Sequence, residues 1–93
     1  MGFFRRLFMR GPNIKTMSSS DTCDKVLIRG IPPTREGSMM ATILERDYWL
    51  RRPCGCGGTW ERNGGGSAYP NAYSVCACNQ CGAVKRFEFH FER

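Results

Sequence analysis

Five of the six cysteines fall between positions 54 and 81, in the order Cys54-Gly55-Cys56 and then Cys76-Ala77-Cys78-Asn79-Gln80-Cys81-Gly82. A single short peptide cannot place four thiolates about 2.3 Å from one tetrahedral cation without strain, so two turns must each bring two ligands. Two thiol clusters separated by a hairpin-length segment meet that need and require residues 54–81 to fold back on themselves.

The second cluster carries the usual chelating spacing at Cys78-Asn79-Gln80-Cys81, and Gly82 permits the positive φ that turns backbone amides toward a sulfur. The first pair has only one intervening residue, and Gly55 with Gly57-Gly58 supplies the backbone freedom this shorter turn needs. The expected ligand set is Cys54, Cys56, Cys78 and Cys81, holding one zinc per chain. Cys76 is an alternative ligand, because it would share a strand face with Cys78, and His90 is a weaker substitute. Four thiolates also accept iron. Disulfides are the competing use of the cysteines, but the N-terminal apolar run is interrupted by Arg5, Arg6 and Arg10 and does not resemble a secretory signal. A cytoplasmic location is therefore expected.

Around the clusters, residues 58–62 read as a short strand, Asn63-Gly64-Gly65-Gly66-Ser67 as a turn, and residues 72–76 as the returning strand. Phe87, Phe89 and Phe91 alternate with Glu88, His90 and Glu92, the pattern of a half-buried strand. Residues 53–93, through Cys54, Cys56, Cys78 and Cys81 and the strands around them, resemble the zinc ribbon group. That resemblance implies a three-stranded antiparallel sheet with two chelating turns, and a binding scaffold more than any one function.

Upstream, Lys25-Val26-Leu27-Ile28-Arg29 reads as a short strand stopped by Gly30 and Pro32-Pro33. Met39, Met40, Ile43, Leu44 and Tyr48 recur at helical spacing, with Ser38 as N-cap and Pro53 as the stop, and such a stripe is expected to face the core. The expected fold is thus small α+β: a zinc-ribbon-like three-stranded antiparallel sheet with one preceding helix and a short N-terminal strand. It would form one zinc-stapled domain over residues 23–93, following a flexible basic and apolar tail at residues 1–22. A domain this small has a marginal core, so metal binding, worth on the order of 10 kcal/mol, would supply much of its folding free energy.

The net charge of +6 would ordinarily suggest nucleic acid. Residues 1–20 contain Arg5, Arg6, Arg10 and Lys15 with no acidic residue, leaving ten basic against eight acidic groups, or +2, in residues 21–93. Zinc with four thiolates brings that remainder to about neutral, so the basicity resides mostly in the tail. There Phe3, Phe4, Leu7 and Phe8 can share one helical face and form a candidate membrane or partner contact. Met17-Ser18-Ser19-Ser20-Asp21 also looks like an ordinary polar beginning of a chain.

Arg46, Arg51, Arg52, Lys85 and Arg86 flank the chelating turns as candidate nucleic-acid or partner contacts, beside Trp60, Tyr69 and Tyr73 as candidate stacking surfaces. Their simpler roles are to neutralise the thiolates and to fill the core. No paired-carboxylate, Ser/His/Asp or phosphate-loop pattern points to catalysis. The leading reading is a non-enzymatic zinc module that docks onto a protein partner in a larger assembly. A single-stranded nucleic-acid-binding ribbon is the first alternative. A thiol redox or metal-handling protein using Cys76 or Cys23 is the second.

Overall fold

The computed structural model describes residues 12–93. Five strands and one helix follow in the order β1 (Asn13–Ser19), β2 (Cys23–Arg29), α1 (Arg35–Leu50), β3 (Trp60–Ala68), β4 (Asn71–Cys78) and β5 (Val84–Glu92). All five strands join in one sheet of order β1-β2-β5-β4-β3.

This sheet corrects the three-stranded antiparallel expectation. Antiparallel pairing does run through β3, β4 and β5, but β2 pairs with β5 in parallel, from Cys23 opposite Arg86 to Arg29 opposite Glu92. The strand β1 then adds antiparallel to β2. A parallel neighbour needs a long crossover, and the chain between β2 and β5 supplies it through α1 and the β3–β4 hairpin. Residues 13–19, expected in the tail, thus belong to the sheet; no apolar alternation marks this edge strand, in which even Ile14 is exposed. Met17 stands inside β1, where the register shifts between Thr16 and Ser18. Phe3, Phe4, Leu7 and Phe8 lie outside the described residues.

The alternation in β5 places Phe87, Phe89 and Phe91 on one face, opposite Asp24, Val26 and Ile28 of β2. Ser74 and Ala72 of β4 stand beside Phe87 and Phe89 on that face. The helix covers it, burying Gly37, Ala41, Tyr48 and Trp49. Tyr48 meets Phe87 and Phe89 edge-on, and Trp60 meets Phe87 the same way. Full burial of each phenylalanine contributes roughly 1.5–3 kcal/mol. The opposite face carries Lys25, Arg86, Glu88 and His90, as expected of a sheet packed on one side.

Two local expectations change. The N-cap is Thr34, whose side chain accepts from the Gly37 amide at 3.1 Å, so the helix begins directly after Pro32-Pro33 rather than at Ser38. The run Gly64-Gly65-Gly66 is not a turn but part of β3, and the reversal to β4 falls at Tyr69-Pro70, joined by a cis peptide bond.

Candidate metal centre

The sheet brings both chelating turns to one end. Cys78 is the last residue of β4 and pairs with Trp60, the first residue of β3, so the loop entering β3 faces the turn leaving β4. In the first turn the Cys54 amide donates to the Gly58 carbonyl at 3.0 Å and the Gly57 amide to the Cys54 carbonyl at 2.9 Å. Gly57 adopts φ +91°, which lets this tight loop close. In the second turn the Gly82 amide donates to the Cys78 carbonyl at 3.2 Å, with Gly82 at φ +75°. The Asn79 amide donates to the Thr59 carbonyl at 3.0 Å and the Thr59 amide to Asn79 Oδ1 at 3.1 Å, lacing the two turns together.

The sulfurs of Cys54, Cys56, Cys78 and Cys81 all lie within 4.8 Å of one another. Cys54 Sγ stands 3.5 Å from Cys81 Sγ, and Cys56 Sγ 3.4 Å from Cys78 Sγ. A tetrahedron with metal–sulfur bonds of about 2.3 Å has edges of about 3.8 Å, so the spacing suits a single cation. Amides already point at the sulfurs: Gly58 N–H donates to Cys56 Sγ and Gln80 N–H to Cys78 Sγ, each at 3.4 Å. Gly58 must lack a side chain, since a Cβ there would stand 2.5 Å from Cys78 Sγ.

The electrostatics of the four thiols argue in the same direction. The Cys81 and Gln80 amides favour a thiolate at Cys78 and hold its pKa down to about 6. At Cys81 the Ala83 amide also favours the thiolate, but the neighbouring sulfurs of Cys54, Cys56 and Cys78 outweigh it and push the thiol up to about 12. Sulfurs this close cannot all ionise on their own, and a cation at their centre removes that conflict. The four cysteines could therefore hold a metal ion, one bound through sulfur alone.

The other candidate ligands stand apart. Cys76 is fully buried on the core face, opposite Arg62, and desolvation pushes its thiol up to about 11 even though Arg62 favours the thiolate. His90 Nδ1 lies 2.9 Å from Asn71 Oδ1 on the outer face. Cys23 is raised by burial and by the Glu88 carboxylate.

The candidate contact residues do not form one surface. Arg51, Arg52 and Lys85 line a cleft with Ile14, Asp47, Tyr48 and Pro53. Arg51 pairs with Asp47 at 3.1 Å, and Arg52 and Lys85 both approach Asp24. Arg86 belongs to the opposite face, over the Tyr73 ring and 2.9 Å from Glu88. Arg46 lines a separate cavity on the far side of α1. Trp60 is buried, and Tyr69 donates its hydroxyl to the Ile31 carbonyl while its ring stacks on Phe91.

Sequence reasoning missed Asp24 entirely. It is completely buried and accepts from Ser19 Oγ and from Tyr48 OH, with Lys85 Nζ at 3.0 Å and Arg52 Nε at 3.8 Å. Desolvation alone would raise its pKa, but the bonds from Ser19, Lys85 and Tyr48 outweigh it and hold the carboxyl below its ordinary range. One sequence signal was available: an aspartate at an inward position of the β2 alternation must find partners.

No helix among the described residues is long and apolar enough to cross a membrane. No protein-family model, curated protein or solved structure matches the chain.

Proposed function

We propose that this chain is a non-enzymatic zinc module in which the metal is structural and α1 docks onto a protein partner. The observation that carries the reading is the all-sulfur ligand set, four cysteines within 4.8 Å of one another. Four protein ligands complete a tetrahedral zinc and leave no position for water or substrate, the arrangement of structural rather than catalytic sites. The likeness to zinc ribbons rests on the two turns and the strands that carry them. Bound zinc would neutralise the clustered thiolates and lock the β3–β4 end of the sheet.

Docking through α1 rests on what the helix leaves uncovered. Met39 is 62 % exposed and Ile43 67 %, one turn apart, with Met40 and Leu50 also exposed. The apolar stripe of the helix therefore divides, with Ala41, Leu44, Tyr48 and Trp49 against the core and Met39, Met40, Ile43 and Leu50 facing outward. An exposed ridge at this spacing suits a partner with an apolar groove, and methionine adapts to irregular surfaces.

The alternatives have less support. Of the five cations proposed for nucleic acid, Arg51, Arg52, Lys85 and Arg86 each have a carboxylate within 4.0 Å. A redox role needs an accessible thiolate, whereas Cys76 is buried with its pKa at about 11, and that of Cys23 is also raised. The test is the double variant Met39→Asp/Ile43→Asp. It should keep its fold and its zinc yet fail to crosslink to the protein that the wild-type helix contacts in cells. Retained crosslinking by this variant, or loss of binding only on Arg51→Ala/Arg52→Ala substitution, would reject docking through α1.

A further inference from the structure

We infer that the cavity of about 280 Å3 between α1 and the β3–β4 edge binds a small zwitterion of the free amino-acid class. Its lining includes Thr42, Glu45 and Trp49 from the helix and Arg62, Ser67 and Ser74 from the strands. The site is remote in kind from the metal centre and shares no ligand with it.

The local structure holds Arg62 in place. The register of β3 shifts between Arg62 and Gly64, so Arg62 opposite Cys76 and Gly65 opposite Ser74 share the helix-facing side. Arg62 then lies along its own strand, over Gly65, where an added Cβ would stand 2.5 Å from Arg62 Nη2. Its Nε donates to Ser74 Oγ at 3.1 Å, and Ser74 is buried. The Tyr73 backbone carbonyl oxygen stands closer still to that Cβ position at Gly65, and backbone cannot yield as a side-chain tip can, which accounts for a glycine within a strand, where the residue otherwise weakens pairing. Among the described residues no carboxylate comes within 4.0 Å of Arg62, so its two terminal nitrogens keep the planar fork that matches a carboxylate.

Glu45 faces the same space without an ion pair of its own among the described residues. Burial pushes its carboxyl up to about 7, with Arg62 acting in the opposite direction. Three charges thus line one small cavity, the Glu45 carboxylate and the Arg46 and Arg62 guanidiniums, and no ion pair joins them among the described residues. A ligand carrying both a carboxylate and an ammonium satisfies two of them at once, the carboxylate on Arg62 and the ammonium on Glu45. The volume is at the small end for ligand pockets, which limits the ligand to a few heavy atoms beyond those two groups.

The test is calorimetric titration of the metal-loaded full chain at pH 8 with glycine and serine, against acetate and ethylammonium, which carry one charge each. The zwitterions should bind about tenfold more tightly than either singly charged probe, the ratio expected if the second charged contact adds about 1.4 kcal/mol. Arg62→Gln should abolish binding. Glu45→Gln should leave serine and acetate about equal. Absence of saturable binding by glycine and serine overturns the inference, and so does binding that survives Glu45→Gln with its preference intact. Because Glu45 is exterior to the sheet, that second variant decides the matter even if Arg62→Gln misfolds. Neither result bears on zinc, which is measured separately by metal content.

Discussion

Lys85 Nζ stands 3.0 Å from Asp24 Oδ1, at a carboxylate with no solvent exposure at all. Lys85 is the second residue of β5, just after the second chelating turn, while Arg52, 3.8 Å from the same carboxylate, lies just before the first. Asp24 therefore ties together the two segments that enter and leave the metal centre. It also reaches β1 through Ser19 and α1 through Tyr48. The Lys85 ammonium also lies over the ring of the buried Phe87, 5.5 Å from its centroid, so the charge sits against the core.

Replacing Asp24 by Asn should destabilise the metal-loaded protein by about 3–5 kcal/mol in chemical denaturation, because it leaves Lys85 with an uncompensated charge in a largely buried setting. Combining Asp24→Asn with Lys85→Met should recover part of that loss, since the unpaired cation is then absent. Equal losses in the single and double variants would mean that the pair is not energetically coupled.

Gly58 and Gly55 provide a paired test of the first chelating turn. A methyl group at 58 meets Cys78 Sγ and Asn79 Oδ1, whereas nothing lies within 4 Å of one at 55. Gly58→Ala should weaken metal binding by about 1–3 kcal/mol, the usual cost of overpacking, while Gly55→Ala should change it little. Competition with a chromophoric chelator measures both.

The Glu45 carboxyl gives a pH dependence of definite sign. Its folded pKa of about 7 lies above the ordinary value of 4.5, so the folded state binds the extra proton in between. Stability must therefore fall as pH rises from about 4.5 to 7 and level off above. Glu45→Gln should remove this slope and be the more stable protein at pH 8. The difference between the two unfolding curves isolates the effect from any pH-dependent loss of metal. A difference that does not vary with pH would show that Glu45 is not desolvated.

Much of the candidate site was legible because chelation is a local matter. The spacing of Cys54, Cys56, Cys78 and Cys81 follows from what two turns must do around one ion, and the structure gathers those sulfurs. The alternation of Phe87, Phe89 and Phe91 likewise announced a strand with one buried face. What was not legible depends on partners distant in sequence. The parallel pairing of β2 with β5 joins residues more than sixty positions apart, and nothing in Lys25–Arg29 says which neighbour it will take. In β1, little of Asn13–Ser19 is buried, so the strand has almost no apolar signature. Gly64-Gly65-Gly66 suggests a turn because glycine usually marks one, but here Gly65 lies within a strand, against the Tyr73 carbonyl oxygen and the Arg62 guanidinium. The role of Asp24 is not legible because its four partners come from two other strands, the helix and the segment just after it.

X-ray absorption at the metal edge of the purified full chain decides whether the proposed zinc centre is closed and all-sulfur. The spectrum should show one zinc per chain, four sulfur neighbours at about 2.3 Å and no nitrogen or oxygen neighbour. The same spectrum is expected from Cys76→Ser, while Cys78→Ser and Cys81→Ser should lose the metal. A shell containing nitrogen or oxygen, loss of zinc in Cys76→Ser, or a protein that binds no metal and keeps its fold in a strong chelator would contradict the proposed centre.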